Sequence, residues 1–243
     1  MITIDDNYLL KIHANKISLF KDLFNIVQYT DYKGKIPRIG YVVRKKYTAI
    51  NDLLLSENDI LMNIKTTCRN EIRRAEKEGV QIEISRHTDK HDPEFEKYIE
   101  YYNHFAIQKN LPQLNISNIN KYPVIIIGKA IRGDEILSMH ATFIDEEIKI
   151  ASLLFSCSIR LNENIDHRLI GWSNRLLHFK EFLYFKTNGI KEYDWSGIGN
   201  NPNPEGSIAK FKLSFGGTIT PVVHLQSYSF FMVYKIKQIL KSM

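Results

Sequence analysis

Three apolar, β-branched runs follow one another closely in the middle of the chain: Val124–Ile131, Ile136–Ile144 and Ile148–Ser158. Gly133-Asp134 and Asp145-Glu146-Glu147 supply hairpin turn chemistry between them. A stripe of Leu169, Trp172, Leu176, Phe179 and Leu183 then shows helical spacing from about His167 to Asn188, and Gly189 ends it. A strand at 191–195 follows. Hairpins, a long crossover helix and one more strand exclude the regular alternation of a Rossmann domain. The pattern predicts a mixed α/β domain.

Earlier elements are read the same way. Leu9, Ile12, Leu19, Leu23 and Ile26 have spacing compatible with a helix over Leu9–Val27, punctuated by Lys33-Gly-Lys-Ile-Pro37. Ile39–Leu55 reads as extended. Ser56-x-x-Asp59 resembles a capping box that opens one long helix, with Gly79 at its stop. The outer face of that helix, Arg69, Arg73, Arg74 and Lys77, is basic. Val80–Ser85 alternates as a half-buried strand should, and Asp92 or Pro93 starts a helix reaching about Lys109. A short amphipathic turn carries Lys210 and Lys212, then come a strand at 218–226 and a basic, aromatic helix from about Ser229.

With 243 residues, 44% hydrophobic and 25% charged, the chain can bury a sizeable core as a globular protein. The net charge of +6 favours anionic partners, but the basic residues are scattered, and a solvated surface accounts for them as well. Cys68 and Cys157 stand far apart without a CxxC partner, which implies neither a disulfide framework nor a zinc site. No signal-like start and no apolar run of about 20 residues is visible, so a cytoplasmic location is expected. No metal is expected, because no His, Cys and carboxylate set has ligand spacing.

The chemistry concentrates near the C-terminal end. Lys191-Glu-Tyr-Asp-Trp-Ser-Gly-Ile-Gly199 ends a strand on Asp194 and Trp195; a loop with Pro202 and Pro204 leads to Glu205-Gly-Ser-Ile-Ala-Lys-Phe-Lys-Leu-Ser-Phe-Gly-Gly217. A carboxylate at a strand end beside a lysine-bearing, glycine-ended segment suits acyl or phosphoryl chemistry. Asp194 is the candidate general base for an amine acceptor, shielded by Trp195; capping of the Gly197 turn is the alternative. Lys212 is the candidate for stabilising negative charge, against a solvated lysine on an exposed turn. Lys210 points to the surface.

Tyr-Asp-Trp-x-Gly followed by Phe211-Lys212-x-x-Phe215-Gly216-Gly217 resembles the C-terminal signature of the Fem-type aminoacyltransferases of peptidoglycan-bridge synthesis. The run Asn70-x-Glu-Ile-Arg-Arg-Ala-Glu-Lys-x-Gly-Val is also Fem-like. Those enzymes and the single-domain sugar acyltransferases similar to them belong to the GNAT superfamily. The resemblance covers about residues 50–226 and implies a GNAT fold, a mixed, mostly antiparallel central sheet flanked by helices. It implies one such domain: residues 1–55 as a partial N-terminal extension, 56–226 as the core and 227–243 as a C-terminal helix. Full-length Fem enzymes have two such domains.

In a GNAT site two strands splay apart and backbone N–H groups on one hold the acyl carbonyl, while the next helix receives the donor's phosphates on its N-terminus. Mapped here, Ile148–Ser158 is the polarising strand, with Ser156 and Ser158 on the donor, and Arg168-Leu-Ile-Gly171-Trp-Ser173 is the phosphate end. An ordinary helix start explains that match equally well. Trp172 there would crowd a pantetheine chain. The Phe211-Lys212 pair is implied to sit at the acceptor–donor junction.

Asn174, Arg175 and His178 share one helix face and could line an acceptor cleft or be solvated. His140 lies in an apolar strand and reads as a satisfied core or cleft histidine that could meet substrate. The reaction expected is acyl transfer from acetyl-CoA to the amine of a nucleotide-linked amino sugar or other cell-envelope precursor. The alternative is Fem-like aminoacyl transfer from tRNA to a peptidoglycan precursor peptide. Docking of the apolar side of the C-terminal helix on the domain explains that segment more simply than peripheral membrane contact.

Overall fold

A computed structural model describes residues 2–5, 9–22, 25–32, 34–159, 166–201, 203 and 205–242. Leu23, Lys33, Pro202 and Pro204 lie outside the described residues. In chain order the elements are β1 (Ile2–Asp5), β2 (Leu9–Ile12), α1 (Leu19–Asp22), β3 (Val27–Thr30), β4 (Tyr41–Asp52), α2 (Glu57–Asn63), α3 (Thr66–Lys77), β5 (Gln81–His87) and α4 (Pro93–Gln108). After a 3-10 turn come β6 (Ile125–Arg132), β7 (Glu135–Asp145), β8 (Ile150–Ser158), α5 (His167–Thr187), β9 (Glu192–Asp194), α6 (Ser207–Leu213), β10 (Thr218–Ser227) and α7 (Tyr228–Ser242). The class is α/β with a mixed sheet, as the sequence predicts.

The chain forms two compact units. One comprises Met1–Thr48, Gly197–Pro204 and Ile219–Met243; the other comprises Ala49–Ser196 and Glu205–Thr218. In the first, β1 pairs antiparallel with β2, β2 parallel with β3, and β3 antiparallel with β10. Among the described residues the predicted helix over Leu9–Val27 is not found: strands β2 and β3 occupy its ends, and the short α1 lies between them. Leu10 and Ile12, then Val27 and Tyr29, are buried at alternate positions, so a period of two prevails over the helical spacing. Asp22, buried there, accepts hydrogen bonds from the hydroxyls of Tyr29 and Tyr41, each at 2.5 Å. Burial and that carboxylate raise both phenols well above their ordinary range. On α7 Phe230 is buried, whereas Met232, Ile236 and Ile239 face outward, so its apolar residues are only partly docked.

The second unit builds its sheet in the order β4, β9, β8, β7, β6, β5. All neighbours are antiparallel except β8 and β9. Ile125, Ile126 and Ile127 are fully buried, consistent with an interior strand covered on both faces. α5 lies over one face, where Glu181 meets His140, and α4 over the other, where Tyr98 meets Cys157.

One long helix is predicted from Ser56 to Gly79, and two are found. Ser56 caps α2 as expected, its hydroxyl accepting from the Asp59 N–H at 3.1 Å. The break falls at Ile64 and Lys65, both in extended conformation. Ile64 is fully buried, and the Lys65 N–H bonds the Ser214 carbonyl at 2.8 Å. Arg69, read as part of a basic outer face, instead donates to the carbonyls of Met62 and Ile64, which the end of α2 leaves without helical partners.

Candidate active site

β8 and β9 lie side by side only over Ile150–Ser152 and Glu192–Asp194. From Leu153 to Ser158, β8 continues without β9 alongside. A register shift against β7 falls at that point, where Ala141 pairs with Phe155 but Thr142 with Leu153. The extra residue, Leu154, bends the strand as a bulge does. Beside this parting lies a cavity of about 500 Å³.

Nine of the sequence-predicted residues line it: Ser156 and Ser158 from β8, Gly171, Asn174, Arg175 and His178 from α5, Trp195 after β9, and Phe211 and Lys212 from α6. Six further lining residues, Phe105, Lys109, Leu153, Cys157, Ser207 and Ile208, were not among the site residues expected from sequence. Burial pushes the Cys157 thiol up to about 12, so it is no nucleophile at neutral pH.

Lys212 donates to the backbone carbonyl of Trp195 at 2.6 Å. Burial lowers its pKa to about 8 against the opposing charge of Asp194. Trp195 is itself fixed: its indole N–H donates to Asn51 Oδ1 at 2.7 Å, while Asn51 Nδ2 donates to the Phe215 carbonyl at 2.8 Å. Asn51 thereby ties the end of β9 to the end of α6. The Gly216-Gly217 pair permits this closeness. Gly216 has φ +79°, and a Cβ there would stand 2.3 Å from the Asn63 carbonyl oxygen.

Arg175 Nε lies 2.6 Å from Glu71 Oε2, and its guanidinium sits over the Phe211 ring at 4.9 Å. Asn174 Oδ1 lies 2.6 Å from His140 Nε2, and His140 Nδ1 lies 2.8 Å from Glu181 Oε2. His140 is fully buried and meets the cavity through Asn174 and His178, both of which line it. Glu181 is also fully buried. Burial alone would raise its carboxyl, but the charge and hydrogen bonds of His140, joined by His178, outweigh that and hold it at about 2. Room for it comes from β6, where a Cβ on Gly128 would lie 2.5 Å from Glu181 Oε1. His140, His178 and Glu181 place their ligand-type atoms within 4.8 Å of one another. Their 2.8 and 3.3 Å nitrogen–oxygen separations and the ring stacking at 3.9 Å describe a packed hydrogen-bonded cluster.

Three expected site residues lie elsewhere. Asp194 is buried at the end of β9, and its Oδ1 accepts the Ser196 N–H at 2.8 Å, the turn-capping role that was the alternative. Arg168 is exposed and folds back on Asp166 at 3.2 Å. Ser173 is buried, its hydroxyl donating to the Ile170 carbonyl at 2.9 Å, as serine inside a helix does. Asp166 also caps α5, accepting the Arg168 N–H at 2.9 Å, so a carboxylate occupies the helix end assigned to phosphate. Trp172 lies under the Arg74 guanidinium at 5.3 Å.

No protein-family model and no curated protein matches the chain in sequence. Solved structures do match in fold. FemX shares 14% identity at a TM-score of 0.58, over 78% of this chain and 63% of FemX. L-PGS from Bacillus licheniformis shares 13% at 0.56, over 85% and 69%. The C-terminal domain of a protein assigned as a lysylphosphatidylglycerol synthetase, from Agrobacterium fabrum, shares 12% at 0.56, over 83% and 68%. The chain thus spans less than two thirds of FemX, and the Fem-type resemblance holds at the level of fold. No helix among the described residues is long and apolar enough to cross a membrane.

Proposed function

We propose that the second unit is a GNAT-type acyltransferase moving an acyl or aminoacyl group from an activated carrier to an amine. The parting of β8 from β9 carries this reading, because it sets an open strand edge beside a cavity lined by a half-buried cation. Backbone N–H groups of β8 would receive the carbonyl oxygen, and Lys212 would stabilise the charge growing on it, an effect of a few kcal/mol in a dry site. Asp194, through its charge, favours the protonated form of Lys212. Lys109, Arg175 and Lys212 border the cavity with no carboxylate among its described lining residues, which suits an anionic carrier or acceptor.

The first donor and acceptor pair is acetyl-CoA with a nucleotide-linked amino sugar of the cell envelope. A second reading, aminoacyl transfer from tRNA to a peptidoglycan precursor peptide, is favoured by the carboxylate cap on α5 and by the likeness to FemX. Mass spectrometry of products from both pairs tests these readings. Acetylated amino sugar supports the first, and turnover only with charged tRNA supports the second. No transfer from either carrier overturns the proposal.

A further inference from the structure

His178 is the one imidazole among the described residues lining the cavity, and it is held on all sides. Its ring stacks on His140 at 3.9 Å and packs against Trp195 at 4.5 Å, Phe215 at 5.5 Å and Phe211 at 5.7 Å. Nδ1 turns to Glu181 Oε2 at 3.3 Å and to the Tyr193 hydroxyl at 3.4 Å. An ionised carboxylate beside Nδ1 selects the tautomer that carries its proton there. Nε2, on the opposite edge of the ring, is left with its lone pair.

We infer that His178 is the proton shuttle of this cavity, oriented by Glu181; the assignment rests on the acyl-transfer reading above. The acceptor attacks as the free amine, its ammonium proton already given up to solvent: its nitrogen forms a bond to the donor carbonyl carbon, and the carbonyl π electrons move onto oxygen. Nε2 takes a proton from the resulting ammonium. As the tetrahedral centre collapses and the carbon–carrier bond breaks, the same Nε2–H protonates the departing thiolate or alkoxide. Atoms and charge balance, and His178 ends as it began.

The surroundings keep the ring in its accepting form. Burial, with the charges of His140 on β7 and Lys212 on α6, lowers its pKa to about 3 against the opposing pull of Glu181. Asp194 does not line the cavity, so His178 replaces it as the proton acceptor.

The test is ¹⁵N-histidine NMR of the intact protein, together with His178→Gln assayed on acetyl-CoA with a nucleotide-linked amino sugar and on charged tRNA with a precursor peptide. The expected spectrum shows His178 neutral, protonated on Nδ1 and bare on Nε2. The variant should lose roughly 100- to 10,000-fold in kcat with KM changed only a few-fold. A proton on Nε2, or a variant within a few-fold of the parent kcat, overturns the assignment while leaving the acyl-transfer reading intact. A parent protein inactive with both carriers overturns the acyl-transfer reading, and this one with it. The NMR result does not depend on the variant folding.

Discussion

The ammonium of Lys212 reaches the carbonyl oxygen of Trp195 at 2.6 Å, joining α6 to the end of β9 beside the cavity. A lysine placed this way costs stability and sets a cation beside the cavity. Its pKa is lowered from 10.5 to about 8, so below pH 8 the folded state carries the whole cost of a partly desolvated charge. The penalty shrinks as pH rises from 8 towards 10.5, where the unfolded chain still holds the proton and the folded one does not. Lys212→Met should therefore unfold at a higher urea concentration than the parent at pH 7, with the gap closing by pH 10. The same variant should lose roughly 100-fold or more in kcat/KM. Equal stability at both pH values would contradict it.

Under the acyl-transfer proposal, activity should fall as pH rises through about 8, since the charged form of Lys212 is the one that would stabilise an oxyanion. A pH–rate profile of kcat/KM shows this limb directly. In Lys212→Arg, whose guanidinium does not titrate in that range, the limb should vanish.

Acid should find the Glu181 cluster first. The folded pKa of Glu181 lies near 2 against 4.5, and that of His178 near 3 against 6.5. Both groups stabilise the fold above their unfolded values, and their contributions disappear as pH falls through the folded ones. Glu181→Gln should cost about 3–5 kcal/mol at pH 7, because it leaves partners of a buried pair uncompensated. Its urea midpoint should depend less on pH between 4.5 and 2 than the parent's.

Asn51 offers a separation of position from chemistry. Asn51→Leu preserves volume but leaves the Trp195 indole N–H and the Phe215 carbonyl unmet, at about 1–3 kcal/mol for each buried group. The segment holding Phe211 and Lys212 loses its tie, so substrate KM should rise. Titration calorimetry with the acceptor checks this.

Arg175→Lys keeps the charge but forfeits the planar group that lies over Phe211 while meeting Glu71. Steady-state kinetics should show KM rising about threefold to tenfold with kcat little changed, as expected when about 0.6–1.4 kcal/mol of binding is lost.

The central hairpins, α4, α5 and the Phe211-Lys212 turn were legible because each is written locally: alternation between turn residues, a stripe ended by glycine, a cap before an apolar run. The region Leu9–Val27 was misread because five apolar residues fit a helix as well as they fit two strands, and only pairing with β10 decides. Ile64 broke the second helix through its burial and its neighbour's bond to Ser214, 149 positions away from Lys65, a contact no local signal announces. The cavity-lining face Asn174, Arg175, His178 was visible as a polar strip on an apolar helix. Glu181 was not, although a carboxylate one turn past His178, amid Leu177 and Phe182, is a signal of buried pairing. Asp194 and Ser173 show how the same polar side chain serves a turn or a helix carbonyl as readily as a substrate.

Gly128 supplies no atoms to the cluster, yet it ties its strand position to the acid on α5. Among homologues, glycine at 128 and glutamate at 181 should therefore be inherited as a linked couple. A lineage that trades the acid for a shorter side chain becomes free to acquire a methyl group opposite, and one that gains the methyl first loses the anchor beneath its imidazoles.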